Sequence, residues 1–301
     1  MKIFQIVLFS AAAALPSGAV LAQDSIDTVA TLGFSSGSFE GNGYTTASLG
    51  LFSDLRLSNG FGLETTLGFS RNNDDFGNVD LSSFGIAPTF AFGGGYKVGA
   101  YFSRTKLDDG IDDISLTNRG VILGYEIASL DIESYYGTAD TDPALVGLDI
   151  KDMGLKVVYD VSNEVTLGGT LSRTKLKASG VAVDVDGFGI AATYAVNSDV
   201  QIFGGLQQIS MNDFGFDLSA TNVGLGIAYN LPGMSGLNPN ISLELVHNKL
   251  DDGITSVDGN EVRFGLTIPF GNASSTPRGS VAANVINSER SSLSPLVLSA
   301  F

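Results

Sequence analysis

His247 is the single imidazole in a chain of 301 residues that has no cysteine and no tryptophan. A nucleophilic serine needs a base within hydrogen-bond reach and a further group to orient that base. The residue two positions beyond His247 along a strand is Lys249, and Ser103 or Ser172 would meet the imidazole only by accident of register. One histidine and no thiol exclude His-rich zinc sites, thiol nucleophiles and disulfide frameworks. The remaining reactive groups are carboxylates, clustered as Asp74/Asp75, Asp108/Asp109/Asp112/Asp113, Asp184/Asp186 and Asp251/Asp252. Their oxygens are the kind that Ca²⁺ or Mg²⁺ accepts, but none completes a calcium-loop pattern, and solvated loop acids are the simpler expectation. Gly93-Gly94-Gly95 has no lysine and no helical pattern after it, so a phosphate loop is excluded. The sequence thus offers no catalytic residue, no cofactor site and no metal site.

Composition narrows the class. There are 16 Lys+Arg against 32 Asp+Glu, a formal charge of −16. No basic block exists to neutralise phosphates, which argues against nucleic-acid binding. With 44% hydrophobic and 16% charged residues the chain is not disordered. A mean hydropathy of +0.22 beside this acidic balance suits apolar residues that face lipid. At the start, Lys2, an apolar run over 3–15 and Val20-Leu21-Ala22 before Gln23 form a secretory signal-peptide pattern over 1–22. Its removal takes Lys2 away and leaves 15 bases against 32 acids.

Beyond residue 22 no apolar run is long enough for a spanning helix, which needs about 18 residues. Apolar residues instead alternate. Val223, Leu225, Ile227, Tyr229 and Leu231 oppose Gly224, Gly226, Ala228 and Asn230, and Val262, Phe264, Leu266, Ile268 and Phe270 oppose Arg263, Gly265 and Thr267. A helix would carry those glycines in its interior at about 1 kcal/mol each. The segments are strands. About fourteen begin near 26, 43, 61, 79, 96, 114, 130, 148, 164, 183, 199, 216, 238 and 260. Their spacing fits spanning strands of roughly 9–11 residues or slightly more, joined by alternating short and longer links. Tight turns are expected at 58–60, 93–95, 162–163 and 197–199, and longer Asp-rich loops at 72–78, 108–113, 140–147 and 251–259.

Two repeats orient these strands. Tyr125, Tyr159, Tyr194 and Tyr229 recur at spacings of 34, 35 and 35 residues, each on an apolar face just before a turn. Tyrosine has an apolar body and a wet hydroxyl, so the four read as a periplasmic aromatic girdle. Ser103-Arg-Thr-Lys-Leu107 recurs at Ser172, and Lys106-Leu-Asp-Asp-Gly-Ile111 recurs at Lys249. Continuing the alternation puts Arg71, Arg104, Lys106, Arg173, Lys175, His247 and Lys249 at the outer-leaflet boundary of the lipid-facing stripe, where cations cost little and could meet lipopolysaccharide phosphates.

With the cleavage site, the Tyr-x-aliphatic turns and the alternating segment 262–270, the chain resembles a Gram-negative outer-membrane β-barrel of the porin type, similar in texture to porin-like proteins of α-proteobacteria. The resemblance covers 26–270 and is architectural. It implies an all-β antiparallel transmembrane barrel of about 14 strands (12–16) over 23–271, with a tail over 272–301 that lies in the periplasm or plugs the lumen. Val281–Ile286 suits one or two helical turns. Porins of about 16 strands usually carry an inward-folded third loop, and no loop here is long enough for one. Barrels of this type also usually end on an aromatic, whereas a tail follows Phe270, with Phe301 as its last residue.

The inner face decides what passes. Small residues such as Gly50, Gly68, Gly168, Gly189 and Gly224 leave volume inside a barrel wider than side chains fill. The expected lumen charges are Asp54, Arg56, Glu64, Lys97, Glu126, Asp131, Glu133, Lys156, Asp160, Glu164, Glu244 and Arg263, with acids in surplus. The expected function is passive diffusion of ions and small hydrophilic solutes with a mild cation preference, by a non-enzymatic protein of the outer membrane, in contact with lipid and lipopolysaccharide and possible as a homo-oligomer; a non-conducting structural or surface-displayed barrel is the alternative. Epitope tags test the orientation on intact cells: a tag at Gly110 should be labelled and one at Ser198 should not, and the opposite result would reverse the topology.

Overall fold

The computed structural model describes residues 25–75, 77–145, 147–178, 181–213, 216–231, 238–270, 277–287 and 290; the signal-peptide pattern and Phe301 lie outside them. Fourteen strands run in chain order: β1 (Ser25–Phe39), β2 (Asn42–Arg56), β3 (Phe61–Asp74), β4 (Gly77–Phe92), β5 (Tyr96–Asp108), β6 (Asp113–Ile127), β7 (Leu130–Asp142), β8 (Leu148–Asp160), β9 (Val165–Ala178), β10 (Val181–Ala195), β11 (Val200–Asp213), β12 (Phe216–Asn230), β13 (Asn240–Asp251) and β14 (Ser256–Phe270). Each pairs antiparallel with the next, and β1 closes on β14 with Thr28 opposite Phe270 and Phe39 opposite Gly259. One short helix, α1 (Val281–Ile286), follows the last strand.

The alternation has its apolar half outside. On β12, Leu225 is 65% exposed while its neighbours Gly224 and Gly226 are buried. Phe264 on β14, Leu245 on β13 and Leu171 on β9 are likewise exposed. An apolar surface of this extent is stable only against lipid.

Strand length departs from expectation. The strands run from 12 to 16 residues, longer than the roughly 9–11 that span hydrocarbon. The excess lies at the Asp-rich end, where the segments expected as long loops contract to the links 75–76, 109–112, 143–147 and 252–255. Polar residues there keep pairing across the hairpin, as Arg71 does opposite Asp80 and Lys249 opposite Asp258, so the ladder continues past the apolar band. The longest link, 231–239, is at the other end.

The repeated hexapeptide builds one loop twice. In the first copy Asp108 accepts from Gly110 N–H at 2.9 Å, and Asp109 accepts from Ile111 at 2.9 Å and Asp112 at 2.8 Å. In the second, Asp251 accepts from Gly253 at 2.9 Å, and Asp252 from Ile254 at 3.0 Å and Thr255 at 2.6 Å. Gly110 and Gly253 take φ of 80° and 79°, which a side chain disfavours. The acids are thus spent on their own backbone, and the Asp112 and Ile111 amides hold the Asp109 carboxyl below its ordinary pKa.

The tyrosine repeat has a similar local cause. The residue after each tyrosine donates its N–H to the preceding turn: Glu126 to Gly95 O at 2.7 Å, Asp160 to Ser129 O at 2.8 Å, Ala195 to Glu164 O at 2.8 Å and Asn230 to Asp199 O at 2.7 Å. Ala91, after Phe90, does the same to Gly60 O at 2.7 Å. Each ring lies beside the turn that its neighbour closes. Tyr159, Tyr194 and Tyr229 are exposed, and Tyr125 packs on Tyr96 at 5.2 Å between ring centroids.

Large rings that point inward lie flat over glycines. Tyr101 covers Gly120 and Gly137, Tyr135 covers Gly154, Phe203 covers Gly226 and Tyr44 covers Gly37, each where a Cβ would strike the ring. Aromatic cover of strand glycines both shields the backbone and keeps the rings out of the central space. Gly154→Val should overpack Tyr135 and cost about 1–3 kcal/mol, read as a lower urea midpoint of the heat-modifiable gel band. Combining it with Tyr135→Ala should recover part of the loss; an unchanged midpoint in the single variant would reject the flat packing.

Candidate functional site

Register builds a seat inside the barrel. Gly168 lies opposite Ala191, Ala191 opposite Gly205, and Gly205 opposite Gly224, so four small residues form one row across β9, β10, β11 and β12. Helix α1 lies along that row and crosses the strands. A Cβ at Gly224 would stand 2.8 Å from Val281 Cγ2, at Gly205 3.0 Å from Ala282 Cα, at Gly189 2.9 Å from Val285 Cγ2 and at Gly168 2.7 Å from Ile286 Cγ1. Val281, Ala282, Ala283 and Val285 are buried to 2% exposure or less.

A helix of this length does not persist alone, and its N-terminal end is held. Ser280 is the N-cap, its Oγ accepting from Ala283 N–H at 3.1 Å and donating to Pro277 O at 2.8 Å. Val281 N–H, which has no partner within the helix, donates to Glu244 Oε1 at 2.9 Å. Arg263 donates to Gly279 O at 3.4 Å. Burial of each Val or Ile side chain contributes at most about 1.5–3 kcal/mol.

The charges on the same face form three groups. Arg56 meets Asp54 at 3.0 Å and Glu126 at 2.7 Å. Arg263 meets Glu261 at 2.9 Å and Glu244 at 3.7 Å. In the third group Arg290 reaches Glu133 at 2.7 Å and Glu64 at 2.8 Å, Lys97 reaches Glu133 at 3.3 Å and Asp131 at 3.5 Å, and Lys156 stands opposite Glu133 in the ladder. The Glu133 side chain is 2% exposed, and a carboxylate so buried stays charged only with such partners. Arg278 places its guanidinium 3.6 Å above the Phe52 ring.

Of the expected lumen charges, Asp54, Arg56, Glu64, Lys97, Glu126, Asp131, Glu133, Lys156, Asp160, Glu244 and Arg263 are on strands. Asp160 accepts from Thr166 Oγ1 at 2.6 Å. Glu164 is in the exposed turn 161–164 and accepts from Ser162 Oγ at 2.7 Å. Sequence reasoning missed Asp152 and Glu261, both buried, although Glu261 is two residues from Arg263 and Asp152 four from Lys156, both expected on the inner face. It also missed Arg278 and Arg290, since nothing periodic marks the tail.

On the outer face each boundary cation has a carboxylate nearby. Arg71 pairs with Asp80, and Arg173 with Asp186 at 2.6 Å. Arg104 faces Asp142 at 3.5 Å, Lys106 faces Asp113 at 2.6 Å, Lys175 faces Asp184 at 3.6 Å and Lys249 faces Asp251 at 3.1 Å. His247 Nε2 lies 3.7 Å from Asp258, and its Nδ1 is 3.1 Å from Asn260 Oδ1.

Beside the tail a cavity of about 960 Å³ remains. Thr31, Ser48, Thr66, Ser70 and Ser83 line one wall, Leu176, Val185, Ile209 and Leu218 the other, and Arg278 and Arg263 stand at its tail side. The sequence profile of the Gram-negative porin family matches residues 10–214. The chain belongs to that family. It is an outer-membrane channel protein, and its strands cross the membrane.

Solved structures agree in fold. The anion-selective porin from Comamonas acidovorans superposes with a TM-score of 0.50 at 15% identity, over 82% of this chain and 100% of its own. The CymD monoaromatic hydrocarbon channel gives 0.53 at 11% identity, over 84% and 90%. A FadL homologue from Pseudomonas aeruginosa gives 0.51 at 10%, over 83% and 90%. No curated protein sequence matches the chain.

The absence of cysteine makes the seat easy to test. In an otherwise wild-type chain, Ala283→Cys should resist a bulky maleimide in the folded barrel. Adding Gly205→Val, whose methyl groups would occupy the helix backbone, should make the thiol reactive; equal labelling in both backgrounds would reject the seat.

Proposed function

We propose that this porin passes ions and small hydrophilic solutes by diffusion, with a mild preference for cations. The observation that carries the reading is the charge of the inner face. Asp27, Asp54, Glu64, Glu126, Asp131, Glu133, Asp152, Asp160, Glu244 and Glu261 outnumber Arg56, Lys97, Lys156 and Arg263, even with Arg278 and Arg290 added from the tail. A low-dielectric wall focuses such a surplus into the aqueous path. The hydroxyl-lined wall of the cavity supports passage of hydrophilic solutes, since Ser and Thr replace water's hydrogen bonds as a solute moves. No step of the reading needs a catalytic group or a cofactor. The tail, which fills part of the lumen, favours one second reading: a barrel that does not conduct until the tail leaves. At the outer leaflet we place the paired belt from Arg71 to Lys249, where lipopolysaccharide phosphates would compete with Asp80, Asp113 and Asp186 for the cations. Assembly with further copies is part of the same proposal by analogy with porins, not by any surface of this chain.

Planar-bilayer recording on purified protein tests the reading. Wild type should conduct, with a reversal potential on the cation side that fades as the Debye length falls from about 10 Å at 0.1 M salt to about 3 Å at 1 M. Glu126→Gln with Asp160→Asn should move that potential toward neutrality at low salt. A protein silent both with and without residues 271–301 would refute the channel, and an unmoved potential would refute the assigned charges.

A further inference from the structure

We propose that the tail is a resident insert which sets the selectivity of the channel, and that Arg290 is its specificity-determining residue. This rests on the channel reading above. The described part of the tail passes Arg263 on β14 at Gly279, follows the row of small residues across β12, β11, β10 and β9, and brings Arg290 to Glu133 on β7 and Glu64 on β3. Gly279 and Arg290 hold this stretch to the wall, Val281, Ala282, Ala283 and Val285 are buried between them, and the cavity of about 960 Å³ is the space beside the helix. The tail therefore does here what an inward-folded loop would otherwise do: it narrows a barrel whose own side chains are too small to fill it.

The same segment carries charge to the place where it matters. On the strands alone, Glu64, Asp131 and Glu133 face Lys97 and Lys156, three acids against two bases. Arg290 supplies the third cation. Its guanidinium forks, Nε to Glu133 Oε1 at 2.7 Å and Nη2 to Glu133 Oε2 at 3.2 Å and to Glu64 Oε2 at 2.8 Å. Arginine suits this because its planar donors satisfy two carboxylates at once. With Arg290 the group is neutral, and without it one carboxylate is uncompensated beside the path. The cation preference of the wild type is then mild because the tail subtracts from an acidic wall.

The experiment records single-channel conductance and reversal potential in a KCl gradient of about tenfold, at low and high salt. The full chain is used, and folding of each variant is checked by heat-modifiable gel mobility. Arg290→Gln should move the reversal potential further toward the potassium value at low salt, and the shift should shrink at high salt; Arg290→Lys should stay near wild type. Deletion of 271–301 should raise conductance at least about twofold, as expected of a fourteen-stranded barrel without an insert. Gly189→Cys with Val285→Cys provides a tether, because the Cβ built at 189 lies within reach of the side chain at 285. The oxidised tether should conduct like wild type. An unchanged reversal potential in Arg290→Gln would overturn the role of Arg290. A tethered channel that is silent until reduced would overturn residence and make the tail a gate. Silence of both wild type and deletion would remove the channel reading itself, whereas silence of wild type alone would make the tail a closed plug and overturn the insert.

Discussion

Hydrocarbon offers no hydrogen-bond partner, so every backbone N–H and C=O inside the membrane must be paired within the chain. In this protein that constraint is met by fourteen antiparallel strands closed from β1 to β14, and most of what is distinctive follows from closure. A closed sheet fixes an interior volume. Alternation then assigns one side chain in two to that interior, and the chain fills many of those positions with glycine, serine, threonine and charges beside an apolar patch of Leu176, Val185, Ile209 and Leu218, while large apolar side chains such as Leu225, Leu245 and Phe264 face out. Where a large ring does point inward, a glycine on the next strand lets it lie down, as Tyr135 does over Gly154.

Glycine therefore has two separate uses on the inner face. Gly37, Gly120, Gly137, Gly154 and Gly226 receive aromatic rings from their own wall, whereas Gly168, Gly189, Gly205 and Gly224 receive the tail. The second set costs more to provide, since a strand glycine loses backbone entropy and buries nothing of its own. Gly168, Gly205 and Gly224 align with Ala191 across β9 to β12, Gly189 lies beside that row, and α1 covers them with Val281, Val285 and Ile286.

The lumen charges show how an acidic interior is kept from repelling itself. Cations are few, and each inward arginine with a described ion pair is shared between two carboxylates: Arg56 between Asp54 and Glu126, Arg263 between Glu261 and Glu244, Arg290 between Glu64 and Glu133. Sharing suits a guanidinium better than an ammonium, because its planar fork offers donors in two directions. Outside, a different economy holds. The exposed pairs near the strand ends, such as Lys106 with Asp113, are screened by water and salt and contribute little individually, but they accompany a ladder that runs on into the Asp-rich end.

Sequence by itself determined the strands, their number and their lipid-facing side, because a side-chain period of two is a local property that each segment carries alone. It also marked Glu133, Lys97, Glu244 and Arg263 as members of one face, from parity alone. It marked the ends of the strands less well: the Asp-rich segments look like loops by composition, yet cross-strand pairing of Arg71 with Asp80 extends the ladder through them, and Glu164 falls in a turn although its parity suits the lumen. Only the tertiary structure decided which strands' small residues share a row. Register joins Gly168, Ala191, Gly205 and Gly224 across residues far apart in the chain, and no pattern in one strand reveals that its glycine is level with the next. The place of the tail was decided there too. Its short apolar run has no period that names a partner, and Arg290 finds Glu64 and Glu133 only after barrel closure has brought β3 and β7 to face it.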